Sequence, residues 1–473
     1  MRILFVVNMR VELMPLGIMY LSSALKRYGH YTQAVNWNYE EIKRILMEDK
    51  FDVIAFSVTA GIYYNRCLEI CRRIKKEFNI FTIFGGPHAT FSPEIIEEEC
   101  IDGVCIGEGE EAIVEFADRY QRGRSIADIR NWWIKQDGRI YRNPVRPPVP
   151  DLDELPFPDR ELFRHFRPLW KRTQSVLTTR GCPYNCTYCY QPSYSKLYKG
   201  KWVRRRSVDN VLNELREIKE KFTVNLIAFV DDTFTLSNEW IEEFAVRYKE
   251  EINLPFHCYV RANLITPKIA KQLREGGCVD VGMGVEAGDD YVRNSILRRN
   301  MTKEDIITAS KFIKAQGIKL IAFNILGLPG GSIDTDFETL RLNIDCKPDY
   351  ARVSFFEPYP KLVLTEKAIE EGLFDGDFDR LFKVPTNRKS LLNFKNKREA
   401  RAIENLHHLF ALTVRFPFIL SLVRVLIRIP LGRLYFILFK LSEILILRYL
   451  LRDRESSIKE YSKKFIYYLR KIE

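Results

Sequence analysis

The stretch RGCPYNCTYCYQ, Arg180–Gln191, places three cysteines within eight residues in the spacing Cys-x3-Cys-x2-Cys. A structural zinc site usually takes four ligands in two separated pairs, and no second pair follows here. A disulfide would leave one thiol over. Iron–sulfur clusters are held by cysteine thiolates, and three thiolates on a four-iron cluster leave one iron open to a substrate or cofactor. The alternative is that these cysteines are core residues grouped by chance and hold no cofactor.

The cysteines directly follow the first strand of a βα alternation that we place at residues 173–380. Strand patterns read SVLTTR, LIAFVDD, FHCYVRA, VDVGMGVE, KLIAFNILG and YARVSFFEPYP, and helical patterns between them include DYVRNSIL. Six such units predict an α/β fold, a partial (β/α)6 barrel open on one side. A barrel forms its active site from the loops after its strands, which is where the cysteines lie.

A second βα alternation precedes the barrel, and we assign it to residues 1–142. ILFVV, DVIAFSV, FTIFGG and GVCIGEG read as strands, and PEIIEEEC reads as a short helix. The pattern predicts a doubly wound parallel sheet that binds ligands beyond the carboxyl ends of its strands. Those ends carry Asn8, Ser57, Thr59, Gly85, Gly86, Gly107 and Gly109. Residues 143–172, with six prolines between Asn143 and Asp159, predict a semi-rigid linker.

Composition favours a cytoplasmic protein. Ten cysteines in 473 residues are too sparse for a disulfide scaffold, so those outside the cluster are expected to be reduced. The first residues, MRILFVVNMR, have an apolar run shorter than that of a secretory signal, and they read as a buried strand.

The remaining residues, 381–473, form a basic and apolar helical region. From Arg388 to Glu473 there are 19 Lys and Arg against 7 Asp and Glu, which accounts for the whole net charge of +12. The longest uncharged run in its apolar part, Phe416–Val423, is too short to span a membrane. Arg433, Lys440 and Arg448 lie close together on a helical wheel. This pattern fits a membrane surface contact, a channel for a lipid-like substrate, or a helical bundle that caps the barrel.

Five segments in order give the chain a resemblance to the radical S-adenosylmethionine superfamily, over residues 173–360. They are the cysteine motif with Tyr188 before its last cysteine, AFVDDTF, YVRAN, VGMGVEAG and ILGLPG (Ile325–Gly330). The resemblance implies that Cys182, Cys186 and Cys189 hold a 4Fe-4S cluster whose open iron chelates S-adenosylmethionine. It implies cofactor contacts from Tyr188, Asp231, Asp232, Arg261, Glu286, Leu326 and Gly327. One electron, from a reductant such as flavodoxin or ferredoxin, would then release a 5′-deoxyadenosyl radical.

Residues 1–125 resemble the cobalamin-binding domain found in one class of that superfamily, which includes class B methylases and anaerobic cyclases. PLGIMYLSSALKRYGH, GGPHATFSPE and GEGEEAIVEF carry this resemblance. It implies a flavodoxin-like domain and cobalamin contacts from Pro15, Gly17, Ser57, Thr59, Gly85, Gly86, His88, Gly107, Glu108 and Gly109. Many such domains carry Asp-x-His-x-x-Gly after the first strand, but NMRVELMPLG here contains no histidine. Another side chain or water would then occupy the lower face of the cobalt.

The two resemblances together imply an enzyme that methylates an unactivated carbon of a small-molecule or lipid-like substrate. Oxidative cyclisation, rearrangement and RNA modification are the alternatives within the superfamily. The basic residues are interleaved with Leu, Ile and Phe rather than grouped with stacking aromatics, so no nucleic acid partner is expected.

Overall fold

The computed structural model describes residues 1–8, 14–59, 63–164, 172–378, 380–383 and 389–450, and only the backbone of residues 382–383 and 444–450. Residues 9–13 of the loop NMRVELMPLG, the side chain of Arg448 and the tail after residue 450 therefore lie outside the described residues.

The first sheet has seven strands in the order β2-β1-β3-β4-β5-β6-β7. The first five strands are parallel, and 2-1-3-4-5 is the flavodoxin-like order. The strands are β1 Arg2–Val7, β2 Tyr31–Asn36, β3 Val53–Ser57, β4 Phe81–Gly85, β5 Gly103–Cys105, β6 Trp132–Gln136 and β7 Arg139–Arg142. The helices are α1 Leu16–Arg27, α2 Tyr39–Glu48, α3 Tyr64–Phe78, α4 Pro87–Phe91 and α5 Glu110–Gln121.

Both faces of this sheet are covered by helices, as the sequence predicted. Ile3 and Phe5 of β1 belong to the apolar core that contains the buried residues of α1 and α5. Leu4 and Val6, which point to the opposite face, belong to the core that contains those of α2 and α3. An unbroken apolar strand such as β1 therefore marks the middle of a doubly wound sheet.

The sequence reading missed β2, α2 and the antiparallel hairpin β6–β7. Strand β2 lies at the edge of the sheet, and its Tyr31 is 43% exposed, so its residues YTQAVN show no continuous apolar run. Helix α2 begins after Asn38, whose side chain accepts hydrogen bonds from the backbone N–H groups of Glu40 and Glu41. Tertiary pairing, rather than local apolar pattern, fixes these elements.

The second sheet has six parallel strands in the order β15-β14-β13-β12-β11-β8, and β8 and β15 are its edges. It is the open partial barrel that the sequence predicted. Its strands are β8 Thr173–Val176, β11 Leu226–Phe229, β12 Phe256–Val260, β13 Cys278–Glu286, β14 Lys319–Leu326 and β15 Tyr350–Phe355. Two further short strands, β9 Thr179–Arg180 and β10 Arg204–Arg205, pair with each other in a separate antiparallel ribbon. The helices are α6 Gln191–Leu197, α7 Val208–Lys221, α8 Asn238–Glu251, α9 Pro267–Gly276, α10 Lys303–Ala315, α11 Ile333–Cys346, α12 Val363–Glu370 and α13 Arg380–Lys383.

Two predicted helices are present but are not α-helices. Within PEIIEEEC the chain forms a short 3-10 helix, Pro93–Glu97. Within DYVRNSIL it forms one turn of π-helix, Val292–Ile296. In the second case the fully buried Arg293 donates hydrogen bonds to the carbonyls of Gly288 and Met301, so contacts with neighbouring loops decide the backbone geometry.

The carboxyl-terminal helices cover the edge strand β15. They are α14 Lys397–Arg415, α15 Leu420–Leu426 and α16 Gly432–Leu450. Leu406 and Phe410 of α14 share a core with Val353 and Phe355 of β15, which is the arrangement that the bundle interpretation expects. Covering an edge strand protects its unpaired backbone groups. None of the helices in the described ranges is long and apolar enough to cross a bilayer.

Candidate active site

The carboxyl edges of the two sheets face each other across aromatic side chains. Phe91, at the end of α4, stacks on Tyr190 with ring centroids 4.4 Å apart and meets Tyr194 edge-on at 4.7 Å. Tyr190 directly follows Cys189, and its ring lies 5.8 Å from that of Tyr359, which follows β15. The cysteine loop is therefore held between the ligand-binding edges of both sheets.

The three cysteines lie on one loop after the strand Thr179–Arg180. Cys186 is buried, and Cys182 and Cys189 are half-buried. Burial raises the pKa of the Cys189 thiol to about 12 and also raises the pKa of Cys182, so these thiols stay protonated at neutral pH until a metal binds. No three Cys, His, Asp or Glu side chains in the described ranges are close enough together to bind a single metal ion. Thiolates that bind different irons of one cluster need not meet at one point.

Arg261 brings a buried guanidinium to this loop. Its Nη1 lies 3.8 Å from Cys186 Sγ, its Nε donates to Asn263 Oδ1 at 2.9 Å, and its Cζ lies 3.7 Å from the centre of the Tyr184 ring. The family resemblance implied that Arg261 contacts the cofactor. The structure places its charge within reach of the cysteine loop.

Tyr188, Glu286 and Arg299 form a second buried group beside the loop. Arg299 Nη1 donates to the Tyr188 hydroxyl at 2.6 Å and lies 3.6 Å from Glu286 Oε1. Burial raises the pKa of Glu286, and the Arg299 guanidinium opposes that rise. Glu286 has φ +65° and both neighbours of Arg299, Arg298 and Asn300, also have positive φ. Such strain persists only where surrounding contacts determine the geometry, and it is frequent at functional sites.

The two aspartates of AFVDDTF have different surroundings. Asp231 Oδ1 accepts hydrogen bonds from the Thr178 backbone N–H and hydroxyl, both at 2.9 Å, and from the Thr179 N–H. It thereby fixes the segment that leads to the cysteines. Asp232 is exposed and accepts from Gln191 Nε2 at 2.7 Å. Asp232 is thus the aspartate that faces the cysteine loop.

Leu326 and Gly327 end strand β14. The Leu326 side chain is fully buried in the core beneath α14, so only the backbone of this stretch can border a ligand. The Gly327 N–H donates to both carboxyl oxygens of Asp336, at 3.2 and 3.3 Å. Burial raises the pKa of Asp336 to about 8. This residue of α11 holds the turn and was not found from sequence.

Replacing Asp336 by asparagine is expected to change the pH dependence of stability. The folded chain keeps this proton up to about pH 8, whereas the ordinary pKa is 3.8. Between these values the folded state binds more protons than the unfolded state, so this carboxyl lowers the free energy of unfolding by about 1.4 kcal/mol per pH unit as pH rises. Asp336→Asn should remove that slope and should become more stable than the wild type towards pH 8, as measured by chemical denaturation. Asp334→Asn, at an exposed position of the same helix, is the control; a constant offset for Asp336→Asn between about pH 5 and pH 8 would contradict the assignment.

At the edge of the first sheet, small residues keep the space above the strands free. Ser57 and Gly85 end β3 and β4, and a Cβ built on Gly85 meets only Cys105 Cβ, at 4.0 Å. Gly86 has φ +95°, and a Cβ there would lie 2.8 Å from the Val58 carbonyl oxygen, so this position requires glycine. Thr59 lies two residues after the end of β3. Pro15 and Gly17 begin α1 next to residues 9–13, outside the described residues.

His88 lies on the short helix α4 at the same edge. Its ring packs on Tyr64 with centroids 4.4 Å apart, and burial lowers its pKa to about 4. The side chain is therefore neutral at physiological pH. It is packed within the first domain rather than in the loop where a lower cobalt ligand is usual.

Glu108 joins the first domain to the cysteine loop. Arg204 donates to both of its carboxylate oxygens, at 2.6 and 3.0 Å, and Arg180 lies 3.4 Å from it. Arg180, two residues before Cys182, also pairs with Glu110. All four charged side chains are at most 15% exposed, so each needs its partner. This clasp, defined as Arg180 and Arg204 with Glu108 and Glu110, fixes one domain against the other.

Gly107 and Gly109 flank Glu108 where little room exists. Gly107 has φ +82°, and a Cβ there would collide with the Tyr198 hydroxyl, which accepts a hydrogen bond from the Glu108 N–H at 2.7 Å. A Cβ on Gly109 would lie 3.1 Å from Leu21 Cδ2. Gly107 thus permits close packing against Tyr198 of the second domain, and Gly109 permits close packing against α1 within the first. Their predicted contact with cobalamin stays a prediction.

Sequence reasoning missed Arg299, Asp336 and the clasp. Arg299 and the clasp join segments that are far apart along the chain, and Asp336 contacts Gly327 across nine residues; no motif links these partners. One signal was available: three of these charged groups, Arg180, Glu108 and Glu110, lie inside or beside the quoted motifs.

Two family models match the chain, one over the first sheet and one over the second. The B12 binding domain matches residues 3–117, and the radical SAM superfamily matches residues 176–342.

Curated relatives align with both domains. An uncharacterized methyltransferase of Pyrococcus horikoshii is 31% identical over 375 residues, which are 76% of this chain and 79% of that protein. The anaerobic magnesium-protoporphyrin IX monomethyl ester cyclase of Rubrivivax gelatinosus is 26% identical over 369 residues, or 73% of this chain and 64% of the cyclase.

Among solved structures, the radical S-adenosylmethionine methyltransferase TsrM of Kitasatospora setae, determined with cobalamin and a [4Fe-4S] cluster bound, superposes with a TM-score of 0.65 at 16% identity. The match covers 90% of this chain and 99% of TsrM, and at that identity it shows a shared fold. With these matches and the cysteine loop between two sheets, the chain belongs to the radical S-adenosylmethionine superfamily, as an enzyme of the class that carries an amino-terminal B12-binding domain.

Proposed function

We propose that this enzyme is a cobalamin-dependent radical methylase that transfers a methyl group to an unactivated carbon of a lipid-like or small-molecule substrate. The observation that carries the proposal is the position of the cysteine loop, which lies between the carboxyl edges of both sheets and is tied to the first one by the clasp. A radical formed at the loop and a methyl carrier on the first sheet would then face one substrate.

The residues present fit a cluster with an open iron. One loop supplies three thiols and no fourth cysteine, and the buried Arg261 guanidinium lies 3.8 Å from Cys186 Sγ. A cation there can pair with the carboxylate of S-adenosylmethionine. Glu286, held by Arg299, can accept hydrogen bonds from ribose hydroxyls.

The residues also fit cobalamin at the first sheet. A Cβ on Gly85 would meet only Cys105 Cβ, at 4.0 Å, so the end of β4 leaves room for a ligand next to the backbone. When bound, these cofactors supply a 5′-deoxyadenosyl radical that removes hydrogen and a methyl group for the resulting carbon radical. The chain's part is to hold both, and the packed rings of Phe91, Tyr190 and Tyr194 lie where the two sites meet. A one-electron donor of the flavodoxin or ferredoxin type would complete the cycle.

The test is anaerobic reconstitution with iron, sulfide and cobalamin, followed by product analysis with S-adenosylmethionine, a reductant and a lipid extract of the native host. A methylase needs one molecule of S-adenosylmethionine for the radical and a second to remethylate the cobalt. We therefore expect 5′-deoxyadenosine and S-adenosylhomocysteine together. The cyclase alternative, which the second relative favours, would give 5′-deoxyadenosine without S-adenosylhomocysteine. Absence of both products from a protein that retains zinc would refute the proposal.

The Gly85→Leu variant tests the proposed cobalamin site independently of the cluster. A Cβ at this position meets only one atom, at 4.0 Å, so the leucine side chain is expected to extend into the space where we propose that cobalamin binds. We expect bound cobalamin to fall at least about 10-fold, since filling a preformed pocket removes the ligand's contacts, while iron content stays unchanged. Equal cobalamin in variant and wild type, measured by its visible absorption, would place the cofactor elsewhere.

We further propose a peripheral contact between the carboxyl-terminal helices and a membrane, which would give the enzyme access to an apolar substrate. Their basic and apolar composition supports this contact.

A further inference from the structure

The outer face of the carboxyl-terminal helices exposes an unusual amount of apolar surface. Of the fifteen large apolar side chains that are exposed in the described part of the chain, nine fall within 26 residues near its end. They include Phe418, which is 83% exposed, and Val425, which is 58% exposed. The nine are Phe416, Phe418, Leu422, Val425, Ile429, Leu431, Leu434, Leu438 and Leu441. Single exposed apolar side chains are common, whereas a concentration of this kind marks an interaction surface.

The charge of the same segment has one sign. Between Arg415 and Ser442 the sequence contains five basic residues and no Asp or Glu. Four of the five, Arg415, Arg424, Arg428 and Arg433, are exposed, and the fifth, Lys440, is buried and pairs with Glu443. The arginines are interleaved with the exposed apolar side chains along the chain.

The inner face of these helices already has its partner. Val423, Ile427 and Tyr435 are buried in the core shared with α14 and β15. Asn405 of α14 donates to the carbonyls of Ile427 and Ile429, at 2.8 and 3.0 Å, which fixes the turn between α15 and α16. The exposed side chains are therefore held outward by a packed structure.

We infer that residues 415–441 form a docking surface for an anionic lipid bilayer. An apolar face with arginines enters the boundary between headgroups and acyl chains, and each arginine near an anionic surface adds about 1 kcal/mol of attraction. A second copy of this chain fits less well, because a two-fold contact would place four arginines against four arginines. A nucleic acid would leave the apolar side chains exposed to water. The inference deepens the proposed membrane contact and does not depend on methyl transfer.

The test is flotation of the reconstituted full-length enzyme with vesicles of phosphatidylglycerol and, separately, of phosphatidylcholine. We expect strong binding to phosphatidylglycerol that weakens with salt, and weak binding to phosphatidylcholine. Replacing Arg415, Arg428 and Arg433 together by glutamine should reduce binding on the order of 100-fold, from about 1 kcal/mol per arginine. The apolar variant Phe418→Ser, Leu422→Ser, Val425→Ser should also lose binding.

A matched control replaces exposed apolar residues on other surfaces, Met47→Ser and Val246→Ser, which are 72% and 56% exposed. This control should bind phosphatidylglycerol like the wild type. Loss of binding in the control, or undiminished binding in both test variants, would overturn the inference. The surface would instead be assigned to a second copy of the chain under two conditions. The wild type would bind neither kind of vesicle, and light scattering would show a dimer that the apolar variant does not form. The readout is vesicle binding, so an enzyme that binds vesicles without forming methylated product would refute only the proposed reaction.

Discussion

Cys186→Ala is expected to abolish iron binding at the cysteine loop and, with it, formation of 5′-deoxyadenosine. Cys186 is the buried member of the three and the one that Arg261 contacts, and alanine removes its sulfur ligand from the loop. Changes that merely disturb the partners of a metal ligand cost about 10–100-fold, and loss of a ligand should cost at least the upper figure. Iron and sulfide analysis, visible absorption and product chromatography after anaerobic reconstitution measure the effect.

A second cysteine variant is the control, because it distinguishes the effect of losing the cluster from the effect of losing any buried thiol. Cys346 lies in α11 and is 3% exposed, so Cys346→Ala removes a buried thiol far along the chain from the motif. This variant should keep its iron and its product. If Cys186→Ala also kept both, or if the wild-type protein held zinc after reconstitution with iron, the assignment of the loop to an iron–sulfur cluster would be wrong.

Glu214→Gln is expected to lower the free energy of unfolding by about 3–5 kcal/mol. Glu214 is 1% exposed and accepts hydrogen bonds from Arg160 of the linker and from Arg206 before α7. Burial alone would raise the pKa of Glu214, but these two guanidinium groups bring it below its ordinary value. Removing the carboxylate would leave two buried positive charges without their counter-charge.

Chemical denaturation measures this change, with two variants as references. Glu217→Gln, at an exposed position one turn further along α7 that pairs with Lys221, should change stability by less than about 1 kcal/mol, since surface pairs contribute little. The triple variant Arg160→Met, Glu214→Leu, Arg206→Met should be less destabilised than Glu214→Gln, because it removes all the buried charges. A change below about 1 kcal/mol in Glu214→Gln would show that water or rearrangement compensates the charges.

The overall architecture could be predicted from the sequence because it follows from patterns of apolar residues within short segments. Apolar strands such as Ile3–Val7, followed by amphipathic helices, can bury their side chains only in a doubly wound sheet or a barrel. The motif cysteines were found from sequence for the same reason: their spacing along one loop is a covalent property.

The weaker predictions concern residues whose environment comes from elsewhere. Strand β2 was missed because its position at the sheet edge leaves it half-polar. The π-helical geometry of Val292–Ile296 was not foreseen because the burial of Arg293 is invisible in the sequence. Asp231 and Asp232 are adjacent in sequence, yet one fixes the backbone of Thr178 and Thr179 and the other faces the cysteines. Which neighbour performs which task depends on the direction of each side chain at the end of β11.

The sequence by itself determined the two sheets, their order and the three thiols, because periodicity and spacing act within a few residues. The tertiary structure alone decided the clasp between the domains, the Arg299 contact with Tyr188 and Glu286, and the outward direction of the apolar side chains after Phe416. The physical reason is that the energy of a buried charge or an exposed apolar side chain depends on partners contributed by distant parts of the chain, which come together only in the folded protein.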